Sequence, residues 1–130
     1  MIVDTSALFA IMAHEPERAE FLAAMQAAPS VQMSAATYVE LGVVIDARRN
    51  ALDSRALDDL LRNLGVEVAP VTGEQATVAR AAYRDFGRGS GHPARLNFGD
   101  CFAYALSKVS GEPLLFKGDD FGHTDITPGV

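Results

Sequence analysis

Four short apolar runs, separated by helical patterns, constrain this chain most. The runs are Ile2-Val3, VQMS (31–34), VEVAPV (66–71) and PLLF (113–116). Between them the apolar spacing predicts helices over Ser6–Met12, Pro16–Ala28, Ser34–Arg49, Asp53–Leu64, Thr72–Phe86 and Phe98–Ser110. Strands that alternate with helices are joined by crossovers rather than hairpins, so the expected fold is a three-layer α/β/α arrangement around a mostly parallel sheet. Local chemistry marks several boundaries. Ser34, Asp53 and Thr72 are predicted N-caps, and Gly65 ends the fourth helix. Pro70 puts the third run at a sheet edge or end. Val39, Val43 and Ala47 form an apolar four-residue spacing on the third helix. GRGSGHPAR and KGDDFGHTD read as loops, and ITP (126–128) as a last short strand.

Neither repeat nor linker interrupts the pattern, and 130 residues of which 48% are hydrophobic suit one domain over residues 1–130. A single cysteine, Cys101, excludes an internal disulfide and fits a reducing cytosol. No signal peptide pattern is visible and no apolar run approaches the ~20 residues of a membrane span, so a soluble, cytoplasmic protein is expected. The formal net charge of −6 makes a poor nucleic-acid binder in bulk. Nucleic-acid chemistry then needs a local basic patch, a metal ion, or both. Arg80, Arg84 and Arg88 recur every fourth residue, with Arg95 in the loop beyond, and offer such a stripe; a solvated helix face explains them equally well. Arg48-Arg49 fit a helix C-terminus through the dipole alone.

The acids carry the chemistry. In open α/β sheets ligands gather at the carboxyl ends of the strands. Asp4 ends the first run, Asp100 opens the helix before the last one, and Asp119 and Asp120 follow that last run. Glu40 lies in the apolar stretch YVELGVVI, where an unpaired charge is costly. Singly, each has an ordinary reading: Asp4 caps a helix, Asp100 favours a helix dipole, Asp119-Asp120 make a turn, Glu40 is solvated. Jointly they read as a cluster whose repulsion a cation relieves. Oxygen ligands suit Mg²⁺, or Mn²⁺, rather than zinc, and His14, His92 and His123 show no zinc-like spacing with Cys101. Asp4 is thus expected to be a ligand more than a cap, with Thr5 and Ser6 supplying hydroxyl and N–H support.

MIVDTSALFAI, MSAATYVELGVVI, GRGSGHPARLNFGDCFAYALS and LLFKGDDFGHTDI resemble, across nearly the whole chain, the PIN-domain ribonucleases and most closely the VapC-type toxins of toxin–antitoxin pairs. The resemblance implies a metal-dependent endoribonuclease with Asp4, Glu40 and Asp100 as metal-site acids. The fourth acid falls at Asp119, with Asp120 as the alternative. It implies hydrolysis of RNA phosphodiester bonds with Mg²⁺ as cofactor, for which the basic stripe of Arg80, Arg84, Arg88 and Arg95 is available as an RNA contact. It also implies a homodimer, for which Phe9, Phe21, Leu22 and Met25 offer apolar surface. The further implied partner is a VapB-type antitoxin, whose helix would cover apolar surface near the first helices and whose arginine would meet the acids. Two other readings stand beside it: a catalytically inactive PIN-like binding module, and a phosphoacceptor receiver domain. The receiver expects adjacent acids after the first strand, where Asp4 stands alone. A haloacid-dehalogenase-like phosphatase wants an acid where Ser6 stands.

Overall fold

The computed structural model describes residues 1–47 and 50–130; Arg48 and Arg49 lie outside the described residues. The order is β1 (Ile2–Val3), α1 (Thr5–Met12), α2 (Arg18–Ala27), β2 (Val31–Ser34), α3 (Ala35–Asp46), α4 (Ala51–Asn63), β3 (Val66–Ala69), α5 (Gly73–Phe86), α6 (Asp100–Ser110) and β4 (Leu114–Leu115), then a 3₁₀ turn over Phe121–His123. The four strands pair in parallel in the order β3-β2-β1-β4. The α/β expectation holds, and β3, bounded by Pro70, is an edge strand.

The two residues of β1 show how the layers separate. Side chains alternate across a strand. Ile2 and Leu114 enter one core with Ala79, Ala82, Leu96, Tyr104 and Phe121, beneath α5 and α6. Val3 and Leu115 enter the other with Leu8, Ile11, Phe21, Leu41 and Leu61, beneath α1 to α4. β1 is therefore apolar on both faces, as a central parallel strand must be, and so is β4 at the other end of the sheet, where Leu114 bridges to Pro128.

Several local expectations change in three dimensions. Asn50, not Asp53, caps α4: its Oδ1 accepts the Leu52 N–H at 3.0 Å, and Asp53 falls in the first turn. α6 starts two residues later than expected, at Asp100. ITP forms only a bridge from Pro128 to Leu114. Val39 and Val43, 61% and 63% exposed, face outward, while Thr37, Leu41 and Ile45 turn inward. The four-residue spacing was real, but on the opposite face of the helix. Phe21 and Met25 are core residues, and Phe9 and Leu22 pack against that core, so none of the four makes a free apolar face.

Strand order decides where a site can form. From β1 the chain steps outward to β2 and β3, then returns to the other side of β1 as β4. The connections leaving β1 and β4 diverge at their carboxyl ends, and such a switch point opens a crevice. Asp4 stands in it, its N–H donating to Leu115 O at 2.9 Å.

Candidate metal centre

A cleft of about 460 Å³ opens there, lined by Asp4, Thr5, Ser6, Phe9, Glu15, Glu40, Val44, Asn97, Asp100 and Lys117. Asp4, Glu40 and Asp100 thus meet from three separate elements. Asp4 is 3% exposed. It caps α1: its Oδ2 accepts the Ser6 N–H at 2.9 Å and the Ser6 hydroxyl at 2.6 Å. The Ser6 hydroxyl in turn accepts the Lys117 N–H at 3.0 Å, which ties the start of α1 to the loop after β4. The Thr5 hydroxyl donates to Glu40 Oε2 at 2.9 Å. Thr5 and Ser6 thus hydrogen-bond the carboxylates of Glu40 and Asp4, and capping and cleft-lining coexist in Asp4.

Asp100 is held by a residue the sequence reading passed over. Its Oδ2 accepts the Asn97 N–H at 2.7 Å, while its own N–H donates to Asn97 Oδ1 at 2.8 Å. This reciprocal pair has the spacing of a capping box, and the N-x-x-D pattern was the available signal. Gly99, Lys117 and Glu15 were missed as well. Nothing local marks them, because each matters through a contact with a distant segment.

All three carboxyls are held above their ordinary values. Burial raises Asp4, against hydrogen bonds from Ser6 and Thr5. Burial raises Glu40, and the charge of Asp4 adds to it. Asp100 is pushed up to about 6, first by burial and then by the charges of Asp4, Asp120 and Glu40. Asp120 is therefore the late acid whose charge reaches Asp100. Asp119 and Asp120 are both exposed, and neither lines the cleft. Among the described residues the one base lining the cleft, Lys117, is held by Glu15 at 2.6 Å and Glu17 at 3.0 Å.

The donors are carboxylates with a carboxamide and hydroxyls nearby, a set that suits a hard divalent cation. Among the described residues, no three His, Cys, Asp or Glu side chains form a ready-made ion cage. Each acid is instead held by its own neighbour, as expected of like charges without a counter-ion. The arginines lie elsewhere. Arg80 and Arg84 line a shallow surface on α5, with Arg84 paired to Asp85 at 2.9 Å, and Arg88 and Arg95 are exposed in and beside the following loop. None of them lines the acidic cleft.

The family pattern that matches is the PIN domain, over residues 1–126. Ribonuclease VapC28 of Mycobacterium tuberculosis is 55% identical over 126 residues, covering 97% of this chain and 95% of the relative. The chain belongs to the PIN-domain family of VapC ribonucleases. This PIN domain is also 53% identical to Ribonuclease VapC42 of M. tuberculosis over 128 residues, 98% of each chain. Its fold matches that of VapC20 of M. tuberculosis, a Sarcin-Ricin loop cleaving toxin, with a TM-score of 0.74 at 18% identity over 97% of this chain and 95% of the other. It likewise matches a chain of a toxin–antitoxin complex from Klebsiella pneumoniae, with a TM-score of 0.70 at 16% identity over 92% and 88%. Among the described residues, no helix of the PIN domain is long and apolar enough to cross a membrane.

Proposed function

We propose that this PIN domain is a Mg²⁺-dependent endoribonuclease, the toxin of a toxin–antitoxin pair, acting in the cytoplasm on RNA phosphodiester bonds. Asp4, Glu40 and Asp100 would hold the cation, with Asp119, or Asp120 beside it, as the fourth acid. The observation that carries this reading is the meeting of three buried or half-buried carboxyls in one cleft, each raised above its ordinary pKa. A divalent ion held there, Mg²⁺ or Mn²⁺, would supply Lewis-acid stabilisation of the scissile phosphate and would acidify an attacking water.

The chain's own residues do the rest. Ser6 and Thr5 fix the Asp4 and Glu40 carboxylates, and Asn97 fixes Asp100. With the ion in place the cleft no longer repels a phosphate. Arg80, Arg84, Arg88 and Arg95 hold the RNA strand beyond it, Arg84 less than the others because Asp85 already pairs with it.

A VapB-type antitoxin is the proposed inhibitor. The cleft offers an arginine several acids and, beside them, the apolar walls of Phe9 and Val44. Homodimerisation is proposed through exposed apolar residues instead of the first helices: Tyr38, Val39, Val43 and Val44 on α3, and Phe98, 77% exposed, before α6. Light scattering is expected to give about twice the 13.8 kDa chain mass. The deciding experiment incubates the purified protein with RNA and Mg²⁺. Cleavage that stops with EDTA, with Asp4→Asn and with the co-expressed antitoxin is the expected result. RNA left intact by the free, metal-loaded protein would overturn the reading in favour of a binding module.

A further inference from the structure

Gly99 immediately precedes Asp100, and its backbone is unexceptional, with φ −64° and ψ −44°. No left-handed conformation calls for glycine there. The space around it does. A Cβ on Gly99 would lie 2.2 Å from Glu40 Oε1, 2.6 Å from the carboxyl carbon and 2.6 Å from Oε2. Other crowded glycines among the described residues meet different atoms. Gly87 faces the carbonyl and ring of Tyr83, and Gly129 faces the backbone of Leu114 and Leu115. At Gly99 the volume of the missing side chain is filled by the carboxylate of Glu40, which arrives from α3.

We propose that Gly99 is a positioning residue for the metal centre, whose missing side chain lets the Glu40 carboxylate lie against the first turn of α6 beside Asp100. The inference rests on Glu40 being a ligand, as proposed above. Two carboxylates on different helices repel, and without a cation something else must keep them together. One tether is the Thr5 hydroxyl, at 2.9 Å from Glu40 Oε2. The gap at Gly99 is the other requirement, because the Thr5 bond and the approach to Asp100 are both lost if the carboxylate is pushed away.

The obstacle a Cβ meets is the far end of a flexible side chain. The strain of Gly99→Ala is therefore relieved by swinging Glu40 aside, and the backbone has no need to move. A substitution at this position should separate function from folding.

The test compares wild type, Gly99→Ala, Glu40→Gln, Glu40→Asp and the double variant Gly99→Ala/Glu40→Asp as full chains. The readouts are Mg²⁺ titration by calorimetry, Tm without metal, and RNA cleavage. Gly99→Ala is expected to melt with wild type, yet to lose about tenfold or more in both Mg²⁺ affinity and cleavage, the range seen when a residue orienting a ligand is changed. The shorter acid makes room for the new methyl group. In the Gly99→Ala background, Glu40→Asp should therefore cost less than it does in wild type, or restore binding. Wild-type Mg²⁺ affinity in Gly99→Ala, alongside loss in Glu40→Gln, overturns the positioning role and leaves the ligand reading intact. Full affinity in Glu40→Gln overturns the ligand reading itself. A Gly99→Ala protein that melts well below wild type assigns the glycine to the fold and also overturns the proposal.

Discussion

Two groups of acids stand at or beside one cleft and behave in opposite ways. Glu15 and Glu17 receive the ammonium of Lys117, and Glu17 is held below the ordinary glutamate range by hydrogen bonds, one of them from that lysine. Among the described residues, Asp4, Glu40 and Asp100 have no such partner, and all three are held above their ordinary values. The residue types are the same, so the difference lies in burial and counter-charge. The first group is solvated and carries its own cation. The second is drawn out of water and, among the described residues, lacks one. That contrast locates the place where a cation has to come from solution, and it explains why the acids are held by hydrogen bonds from Ser6, Thr5 and Asn97 in the meantime.

The strongest way to break the comparison is to remove an acid from the unpaired group. Asp4→Asn and Asp100→Asn are each expected to cut Mg²⁺-dependent RNA cleavage by more than about a hundredfold, since residues that merely orient ligands are worth about 10- to 100-fold. Activity near wild type in either variant removes that acid from the site. Next in size is the effect of the ion on stability. Mg²⁺ at a hundred times its Kd is expected to stabilise the folded chain by about 2.7 kcal/mol, read as a rise in Tm that Asp100→Asn abolishes.

A smaller effect follows from pH. Asp100 is pushed up to about 6 in the fold from an ordinary 3.8, so the folded state holds the proton more tightly. Its carboxylate therefore destabilises the metal-free fold fully above about pH 6, and the penalty fades as pH falls toward 4. In EDTA, lowering the pH from 7.5 to 5 should recover about 1 kcal/mol from this group, after allowance for solvent screening. Asp100→Asn keeps an acceptor for the Asn97 N–H and should flatten that slope. Glu17 has the opposite sign: its contribution is present above pH 4.5 and is lost as pH falls below it. The smallest effect is expected for Lys117→Met. Its side chain and those of Glu15 and Glu17 are 35%, 32% and 35% exposed, so Tm should fall only slightly, and less in high salt. A large, salt-independent loss would show that this pair is not the solvated counterpart described here.

Much of the local structure was legible because its causes are local. Ser34 and Thr72 cap the helices they precede, with their hydroxyls accepting N–H groups two and three residues on. The strand runs were found by composition. The cap of α4 was misplaced by three residues because Asp53 and Asn50 are both good caps, and only backbone geometry chooses between them. The outward turn of Val39 and Val43 was hidden because α3 is apolar on several faces, and periodicity does not say which face meets the sheet.

The sequence by itself determined which residue types stand at the carboxyl ends of the strands. It also determined that the strands alternate with helices, because chain polarity and hydrogen-bonding needs act over a few residues. The tertiary structure decided which of those residues meet. Asp120 rather than Asp119 adds its charge to Asp100, Lys117 is taken by Glu15 and Glu17, and Glu40 fits against Gly99 from a helix far away in the chain. Those outcomes depend on strand order and on ångström-scale approach between distant segments, where repulsion and excluded volume act through space and leave no local pattern in the chain.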